Sequence, residues 1–248
     1  MEKSQIDYDR VYGRRARLGL IVPPSNSTNE AEFWERVPAD ISVVTVRMDL
    51  HLPDNGSDFE EIMCRDLDKA CRDLKAAGAD ICIYACTAGS MAMDKERLSA
   101  ELNRHGLPSL HTAEALLQAF SALRVSKLAI ATPYTQPINA HEKHYLEQQG
   151  LEVLAIDGLN IGEEISEFAL LSQIPSAAVS DHALSTDRRE AEALFISCTD
   201  LPASTLIAPL EQKLGKPVVT SNQATLWAAL RKLGFTDSLD NYGSLWST

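Results

Sequence analysis

Two Cys-Thr pairs occur in the same setting in two distant parts of the chain. Cys86 and Thr87 follow the apolar run ADICIYA, and Cys198 and Thr199 follow AEALFIS. A short apolar run bounded by polar residues is typical of a buried strand. Both thiols are therefore expected at the carboxyl end of a parallel strand, where open α/β sheets bind their ligands. An ionised thiol is a nucleophile, and a neutral one can deliver a proton.

Two further pairs of segments repeat at almost the same sequence offset as Cys86 and Cys198. RLGLIVPPSNSTNEAE and KLAIATPYTQPINAHE both run from a basic residue through an apolar strand, a proline and a polar turn to a helix start. Within them, Leu18 corresponds to Leu128. LPSLHTAEALLQAFSALRV and KPVVTSNQATLWAALRKLG also match, with Pro108 corresponding to Pro217. Three matches at such similar offsets indicate an internal duplication.

The order of the elements predicts the fold class. Strands alternate with helices along both repeats, which is typical of α/β proteins with parallel sheets. We therefore predict an α/β fold of two similar Rossmann-like halves, each with a parallel sheet, related by a pseudo-twofold axis. The active site is expected in the cleft between them. Because the last helix of each half is expected to cross to the other, the first half is predicted to comprise residues 1–111 and 222–248, and the second residues 112–221.

Local patterns add expectations about individual segments. Residues 1–16 are polar and are expected to form a flexible or loosely docked tail. In the second half, a strand is predicted over 151–156, followed by a loop that contains Asn160. Helices are predicted over 161–171 and 186–192, and they lead into the strand that ends at Cys198.

The composition excludes several classes of partner. The chain of 248 residues carries a formal net charge of −12. Nucleic acids and anionic membranes attract basic surfaces, so neither partner is expected. No stretch approaches the roughly 20 apolar residues of a membrane span, and the polar start lacks the apolar region of a secretory signal. We therefore expect a cytoplasmic protein whose five cysteines are reduced.

Cysteine and histidine spacing does not indicate a metal site. Cys82 and Cys86 are four residues apart on a strand, without a second Cys-x-x-Cys or Cys/His group to complete a ligand set. His141 and His144 are three residues apart, and a solvated helix face explains this spacing better than a metal site does. The spacing therefore predicts a protein without a metal site.

Two polar turns are candidate anion sites. Ser25 and Asn26 lie between the first strand and the helix that follows it, and Tyr134 and Thr135 lie at the equivalent turn of the second repeat. A helix start leaves backbone N–H groups free, and these groups bind anions. We expect one substrate carboxylate at each turn.

The residues around the thiols suggest how they could be activated. A helix start after each strand is expected to stabilise the thiolates of Cys86 and Cys198. The hydroxyl groups of Thr87 and Thr199 are expected to donate hydrogen bonds to sulfur or to substrate.

After the tail, nearly the whole chain resembles the aspartate/glutamate racemase superfamily. The repeated strand-Cys-Thr units carry this resemblance, together with VPPSN and ATPY at the starts of the two halves. The segments GLIVPPSNSTNE, ATPYTQPINAHE, GLNIG and SCTDLPAS are similar to the branch that holds maleate cis-trans isomerases and arylmalonate decarboxylases, including its ectoine-utilisation relatives.

The resemblance implies cofactor-free chemistry on a small dicarboxylate. It makes Cys86 the nucleophile and Cys198 its proton-handling partner. It also makes Asn26, Tyr134 and Asn160 ligands of the substrate, because amide and phenol groups donate hydrogen bonds to a carboxylate without adding a charge. Assembly into a homo-oligomer is compatible with this family.

Several functions remain open at this stage. The first is cis-trans isomerisation of a maleate-type substrate to fumarate. The second is racemisation or epimerisation of an aspartate-like amino acid such as hydroxyaspartate, which the Cys-Thr-Ala-Gly-Ser segment at Cys86 resembles more closely. Decarboxylation ranks lower, because arylmalonate decarboxylases keep only the second cysteine. A module that binds a small anion without catalysis would use the polar turns but not the thiols.

Overall fold

The computed structural model describes residues 9–51 and 58–248, and the structural statements below concern these residues. The strands are β1 (Ala16–Val22), β2 (Ile41–Arg47), β3 (Ile81–Tyr84), β4 (Ser109–His111), β5 (Lys127–Tyr134), β6 (Glu152–Ile161), β7 (Ala193–Ile196) and β8 (Val218–Thr220). The α-helices are α1 (Thr28–Arg36), α2 (Phe59–Ala76), α3 (Thr87–Ala92), α4 (Lys95–Asn103), α5 (Thr112–Leu123), α6 (Gln136–Gln148), α7 (Ser176–Thr186), α8 (Ile207–Leu214) and α9 (Ser221–Lys232). Short 3₁₀-helices cover Ile165–Gln173, Ser204–Leu206 and Ser244–Ser247.

The two sheets share one topology. The first has the strand order β2-β1-β3-β4 and the second has the order β6-β5-β7-β8, so each strand has a counterpart four strands later. All neighbouring strands are parallel. The predicted fold class is confirmed: two similar parallel-sheet halves form a pseudo-twofold pair with flanking helices.

The apolar runs form the centre of each sheet. Leu18 and Leu20 of β1 are fully buried, as are Leu128 and Ile130 at the matching positions of β5. A parallel strand between two layers of helices is covered on both faces, so a nearly continuous apolar run suits it better than an alternating one. The buried central strands therefore fix the positions of the residues at the carboxyl ends of both sheets.

The helices cover the sheets in two ways. Helix α2 is amphipathic and buries Met63, Leu67, Ala70 and Leu74, which lie on one helical face. Helix α9 is instead buried along all of Ser221–Leu230. Over the described ranges, the structure contains no helix that is both long enough and apolar enough to cross a bilayer.

Helices α5 and α9 pack against each other, and α9 contacts an edge strand of each sheet, β4 and β8. The last helix of the second repeat thus touches the first sheet. The division into residues 1–111 with 222–248, and residues 112–221, stays a prediction.

The segment before the first strand is docked against the rest of the chain. Arg10 donates hydrogen bonds to the carboxylate of Asp80 and to a backbone carbonyl oxygen of the first half. Arg15 forms an ion pair with Asp237 near the other end of the chain. Residues 9–15 are therefore docked rather than flexible, because two arginines pair with partly buried acidic side chains. Residues 1–8 lie outside the described part.

Two boundaries in the second half also differ from the expectations. Strand β6 continues to Ile161 because it pairs with the long strand β5 through two register shifts, so Asn160 lies in a strand rather than in a loop. The helix expected over 186–192 is replaced by α7, which starts directly after Pro175, a residue that favours helix starts.

Candidate active site

A cavity of about 590 Å³ opens at the carboxyl ends of both sheets. Its wall is built from residues that follow β1, β2 and β3 in the first half and from residues at or after the ends of β5, β6 and β7 in the second. The volume falls in the range of small-molecule sites, about 300–1,000 Å³. The polar and reactive lining residues are Ser25, Asn26, His51, Cys86, Tyr134, Thr135, His141, Glu163, Cys198, Thr199 and Asp200. Both repeated cysteines therefore line one cleft.

Cys86 lies at the start of α3 and caps that helix. Its Sγ accepts a hydrogen bond from the backbone N–H of Gly89 at 3.4 Å. Burial raises the pKa of the Cys86 thiol, while the Gly89 N–H and the hydroxyl group of Tyr84 act in the opposite direction. The net direction is the reverse of the expected stabilisation of the thiolate, because the helix start does not compensate for the loss of water.

Gly89 is needed for this arrangement. A Cβ at that position would lie 2.2 Å from the hydroxyl oxygen of Tyr84 and 3.0 Å from the sulfur of Cys86. The missing side chain therefore lets the tyrosine hydroxyl and the thiol approach one helix start together.

Cys198 has a different local structure. Its φ of +114° is unusual for a residue with a side chain, and no helix follows it directly. Its backbone N–H donates to the hydroxyl oxygen of Ser221, and its sulfur accepts a hydrogen bond from the N–H of Asp200 at 3.3 Å. Burial and the nearby carboxylate of Asp200 raise the pKa of the Cys198 thiol, against a hydrogen bond from Tyr134.

The two threonines hold the cysteine loops in place. Thr87 is buried, does not line the cavity, and donates from its hydroxyl group to Ser221 at 2.9 Å. Thr199 lines the cavity but donates to the backbone carbonyl oxygen of Ala85 at 3.1 Å, and it accepts a hydrogen bond from Asn26 at 3.0 Å. Each threonine hydroxyl thus bonds across the pseudo-twofold axis, instead of donating to a sulfur.

The first polar turn is occupied by the protein's own carboxylate. The backbone N–H groups of Ser27 and Thr28 both donate to Asp200, each at 3.0 Å. The expectation that these groups hold a substrate carboxylate is therefore wrong, because an acidic residue from the other half already uses the start of α1. Ser25 and Asn26 still line the cavity beside it.

The second polar turn places Tyr134 and Thr135 on the cavity wall. Tyr134 is buried, and its backbone N–H is held by the hydroxyl oxygen of Thr132 at 3.1 Å. Pro137 stands in the first turn of α6 and has no N–H group to offer. This turn therefore provides fewer backbone donors than expected.

Asn160, like Thr87, is a predicted site residue that does not line the cavity. Its side chain is exposed, and its backbone has a φ of +59° near the end of β6. Gly162 and Glu163, which follow it, line the cavity instead. The role of Asn160 as a substrate ligand stays a prediction.

Sequence patterns missed several polar residues of the wall. His51 lies 2.8 Å from the carboxylate of Asp66 through Nε2, and His141 donates to the backbone carbonyl oxygen of Met91 at 2.9 Å when Nε2 carries the proton. His141 is exposed, as a helix-face residue should be, but it also lines the cavity. Asp200 was visible in the SCTD segment, two residues after the second thiol, and could have been found from that spacing.

The charge of the cavity wall is unusual for an anion site. Among the described residues that line it, no lysine or arginine occurs. Glu163 and Asp200 bring carboxylates, whereas His51 and His141 are the lining side chains that can carry positive charge. An anionic substrate would therefore be bound by neutral donors and histidines.

The comparisons with known proteins agree with this geometry. The family model described as "Arylmalonate decarboxylase" (Amdase) matches residues 18–246, which is nearly the whole chain. The chain belongs to the arylmalonate decarboxylase family. The tail before β1 is the main part that lies outside the match.

Relatives of this chain include isomerases. The chain is 26% identical over 246 residues to the maleate isomerase of Pseudomonas putida, covering 93% of this chain and 97% of that protein. It is 27% identical over 243 residues to the maleate isomerase of Nocardia farcinica, covering 92% and 94%.

A solved structure matches the fold and carries a trapped intermediate. It is the maleate cis-trans isomerase of Nocardia farcinica, in which a cysteine is replaced by serine and a succinylcysteine intermediate is covalently bound. Its TM-score is 0.81 at 25% identity, and the match covers 93% of this chain and 98% of that one. A cysteine of that relative thus forms a bond to the substrate skeleton.

Proposed function

We propose that the protein is a cofactor-independent isomerase that converts a maleate-type cis dicarboxylate to its trans isomer, with Cys86 and Cys198 as the reacting groups. The observation that carries this proposal is that both thiols line one cavity at equivalent strand ends. The maleate isomerases among the relatives and the succinylcysteine in one of them support it.

The reaction requires one nucleophile and one acid. The Cys86 thiolate adds to one carbon of the double bond and forms a C–S bond, while the π electron pair moves toward the carboxylate of the neighbouring carbon. Cys198 then gives its proton to that carbon, which leaves a succinyl group on Cys86. After rotation about the new single bond, the Cys198 thiolate removes a proton from the same carbon. The C–S bond breaks, and the trans isomer, the Cys86 thiolate and the Cys198 thiol are restored.

The surroundings of the two thiols support this assignment of roles. Cys198 lies near the carboxylate of Asp200, and this negative charge adds to burial in raising the pKa of the thiol. A thiol that keeps its proton suits the acid. For Cys86 burial also raises the pKa, but the Gly89 N–H and the Tyr84 hydroxyl favour the thiolate, and no carboxylate among the described residues opposes them. That environment suits the nucleophile.

Substrate carboxylates would be bound by short-range donors, because the net charge of −12 does not attract an anion over distance. Ser25 and Thr135 offer hydroxyl groups from opposite halves of the wall. When protonated, His51 and His141 offer positive charge and a second ring N–H beside the one that bonds Asp66 or Met91. Asn160 would join them only if the end of β6 shifts toward the cavity on binding.

A second candidate is the racemase or epimerase of an aspartate-like amino acid. The observation that favours it is the carboxylate of Asp200 in the cavity wall, where an ammonium group of a substrate would find an opposite charge. In that reaction the two thiols remove and supply a proton on opposite faces of one carbon.

Proton NMR in deuterated buffer distinguishes these functions. The protein is incubated separately with maleate and with each enantiomer of aspartate and hydroxyaspartate. Appearance of fumarate supports the isomerase. Entry of deuterium at the α-carbon with loss of chirality supports the racemase and contradicts the first proposal. A Cys86→Ala, Cys198→Ala double variant serves as the control for a contaminating activity.

A further inference from the structure

The duplication places two buried glutamates at matching positions. Glu32 ends the segment RLGLIVPPSNSTNEAE, and Glu142 ends the corresponding segment KLAIATPYTQPINAHE of the second repeat. Both side chains are almost fully buried, with 6% and 1% of their surface exposed. A carboxylate in such a place is costly unless hydrogen-bond donors surround it.

Glu32 has such donors. One carboxylate oxygen accepts the backbone N–H groups of Ala203 at 2.9 Å and Ser204 at 2.8 Å. The other accepts a hydrogen bond from the side chain of Asn222 at 2.7 Å. Burial raises the pKa of Glu32, and these three donors act against that rise. The first-half glutamate thus links α1 to the loop after Cys198.

Glu142 has no such donors. Neither of its carboxyl oxygens has a hydrogen-bond partner among the described residues, and both are shielded from solvent. The hydroxyl group of Ser197, which also has no partner of good geometry, is the polar group that acts on it. Burial raises the pKa of Glu142 to about 7. The geometry alone favours the neutral acid, because a buried carboxylate without donors is unstable.

The position of Glu142 connects it to the second thiol by two routes. Ser197 directly precedes Cys198, whose backbone already has an unusual φ of +114°. Tyr134 interacts with both Cys198 and Glu142: burial raises the pKa of its hydroxyl group, and the charges of Cys198 and Glu142 raise it further. Tyr134 is also the hydroxyl donor that favours the Cys198 thiolate.

We propose that neutral Glu142 is a positioning residue for Cys198 and Tyr134, and that loss of its proton suppresses the reactivity of the second thiol. An ionised carboxyl group would attract the hydroxyl proton of Ser197, which has no other partner, and would draw that of Tyr134 away from Cys198. It would also add a negative charge near the site at which a thiolate must form. Its effect on turnover rests on the proposed function, whereas its effect on the thiol does not.

The elements packed against α6 leave Glu142 without a compensating cation. Those that pack most closely on it are α3, β5 and β6, and Ser197 approaches from the loop after β7. Helix α3 carries no charged side chain, and β5 contributes Tyr134. Lys127 lies at the other end of β5 and pairs with Glu152 of β6, whose remaining acid, Asp157, is exposed. On α6 itself, Lys143 pairs with Glu147. No cation among the described residues therefore forms an ion pair with Glu142.

Alkylation of Cys198, followed by peptide mass spectrometry, tests the proposal without substrate. Below its pKa, a simple thiol reacts about tenfold faster for each unit of pH, since the thiolate is the reactive form. We expect the wild-type rate to rise by clearly less than this between about pH 6 and 8, where Glu142 ionises. Glu142→Gln should restore the rise of about tenfold per unit. Glu147→Gln, on the exposed face of the same helix, should behave as the wild type.

Overlapping rate profiles of the wild type and Glu142→Gln would overturn the proposal. If this variant does not fold, infrared titration of the wild-type protein replaces it: a buried neutral carboxyl band should be present at pH 6 and disappear near pH 7. Its absence at pH 6 would also overturn the proposal. If the alkylation result holds but neither maleate nor an amino acid is converted, the proposed function fails and the assignment of Glu142 stands.

Discussion

The two halves place their thiols alike but support them differently. Each sulfur has one tyrosine hydroxyl and one backbone N–H as donors. For Cys86 these come from Tyr84 of its own strand and from the start of α3. For Cys198 they come from Tyr134 of the neighbouring strand β5 and from the next loop. Tyr84 and Tyr134 do not occupy matching positions of the repeat, so similar support arose from different residues.

This difference shows which features the two repeats share and which they do not. The sheet order and the strand ends are shared, and they bring two thiols to one cavity. The chemical environment of each thiol is set by residues that the repeat does not share. Cys86 caps a helix, whereas Cys198 has a positive φ and lies near Asp200. One half can therefore supply a nucleophile and the other an acid.

The largest expected effect is the loss of either thiol. Cys86→Ala and Cys198→Ala should each lower kcat by at least about 10³-fold, because residues that act as a unit fail together. Cys64→Ala, a thiol outside the cavity, should keep activity, and circular dichroism should show that all three variants fold. Wild-type activity in either of the two cavity variants would contradict the proposal that the reaction needs both thiols.

The next largest effect concerns the free energy of unfolding, to which the two buried glutamates should contribute differently as pH changes. Unfolded Glu142 ionises near 4.5 and the folded group near 7. Between these pKa values the folded protein keeps a proton that the unfolded chain loses, so the free energy of unfolding falls as pH rises. Above about pH 7 the loss is complete, at about 3 kcal/mol. Glu142→Gln should remove this decline in chemical denaturation measured at pH 5 and pH 8.

Glu32→Gln provides the matching comparison. It removes the acceptor of Asn222 and should cost about 1–3 kcal/mol already at pH 5, where Glu142→Gln should have little effect. Equal losses for both variants at pH 5 would mean that Glu142 has donors of its own, contrary to the structure.

The tyrosines should have similar effects on turnover despite their different positions. Tyr84→Phe and Tyr134→Phe each remove a hydrogen bond to a group that becomes charged, about 1.5–3 kcal/mol, which is about a 10- to 150-fold loss in kcat/KM. Tyr145 of α6, which is outside the cavity, offers Tyr145→Phe as a control. Wild-type kinetics in one of the two site variants would mean that a tyrosine hydroxyl stabilises the thiolate in only one half of the protein.

The smallest expected effect concerns the carboxylate beside Cys198. Asp200→Asn keeps an oxygen for the N–H groups of Ser27 and Thr28 but removes the negative charge. The pKa of Cys198 should fall, and its alkylation at fixed pH should become about three- to tenfold faster. Unchanged alkylation of Cys198, with Cys86 as the internal reference, would show that the charge does not reach the thiol.

The sequence predicted the frame of the fold because three repeat offsets and the strand patterns point to the same topology. It also predicted that Cys86, Cys198, Asn26 and Tyr134 lie close together, because equivalent strand ends meet in the cleft, and all four line the cavity. These predictions depend on local pattern and on duplication.

What the sequence could not provide depends on contacts between distant residues. The capture of the α1 start by Asp200 joins two distant segments of the chain, and Glu142 differs from Glu32 only in its neighbours. The φ of Cys198 and the extension of β6 through Asn160 follow from pairing in three dimensions. The spacing of apolar residues along the chain does not identify such partners.

Trapping a covalent adduct tests the central claim most directly. Cys198→Ser is incubated with maleate, and the peptides that contain the two cavity positions are analysed by mass spectrometry. Two thiols with separate roles predict one added maleic acid on the Cys86 peptide, and no adduct on Cys198 when Cys86→Ser is treated in the same way. An adduct on Cys198 in Cys86→Ser, or turnover by Cys198→Ser without any adduct on Cys86, would contradict this division of roles.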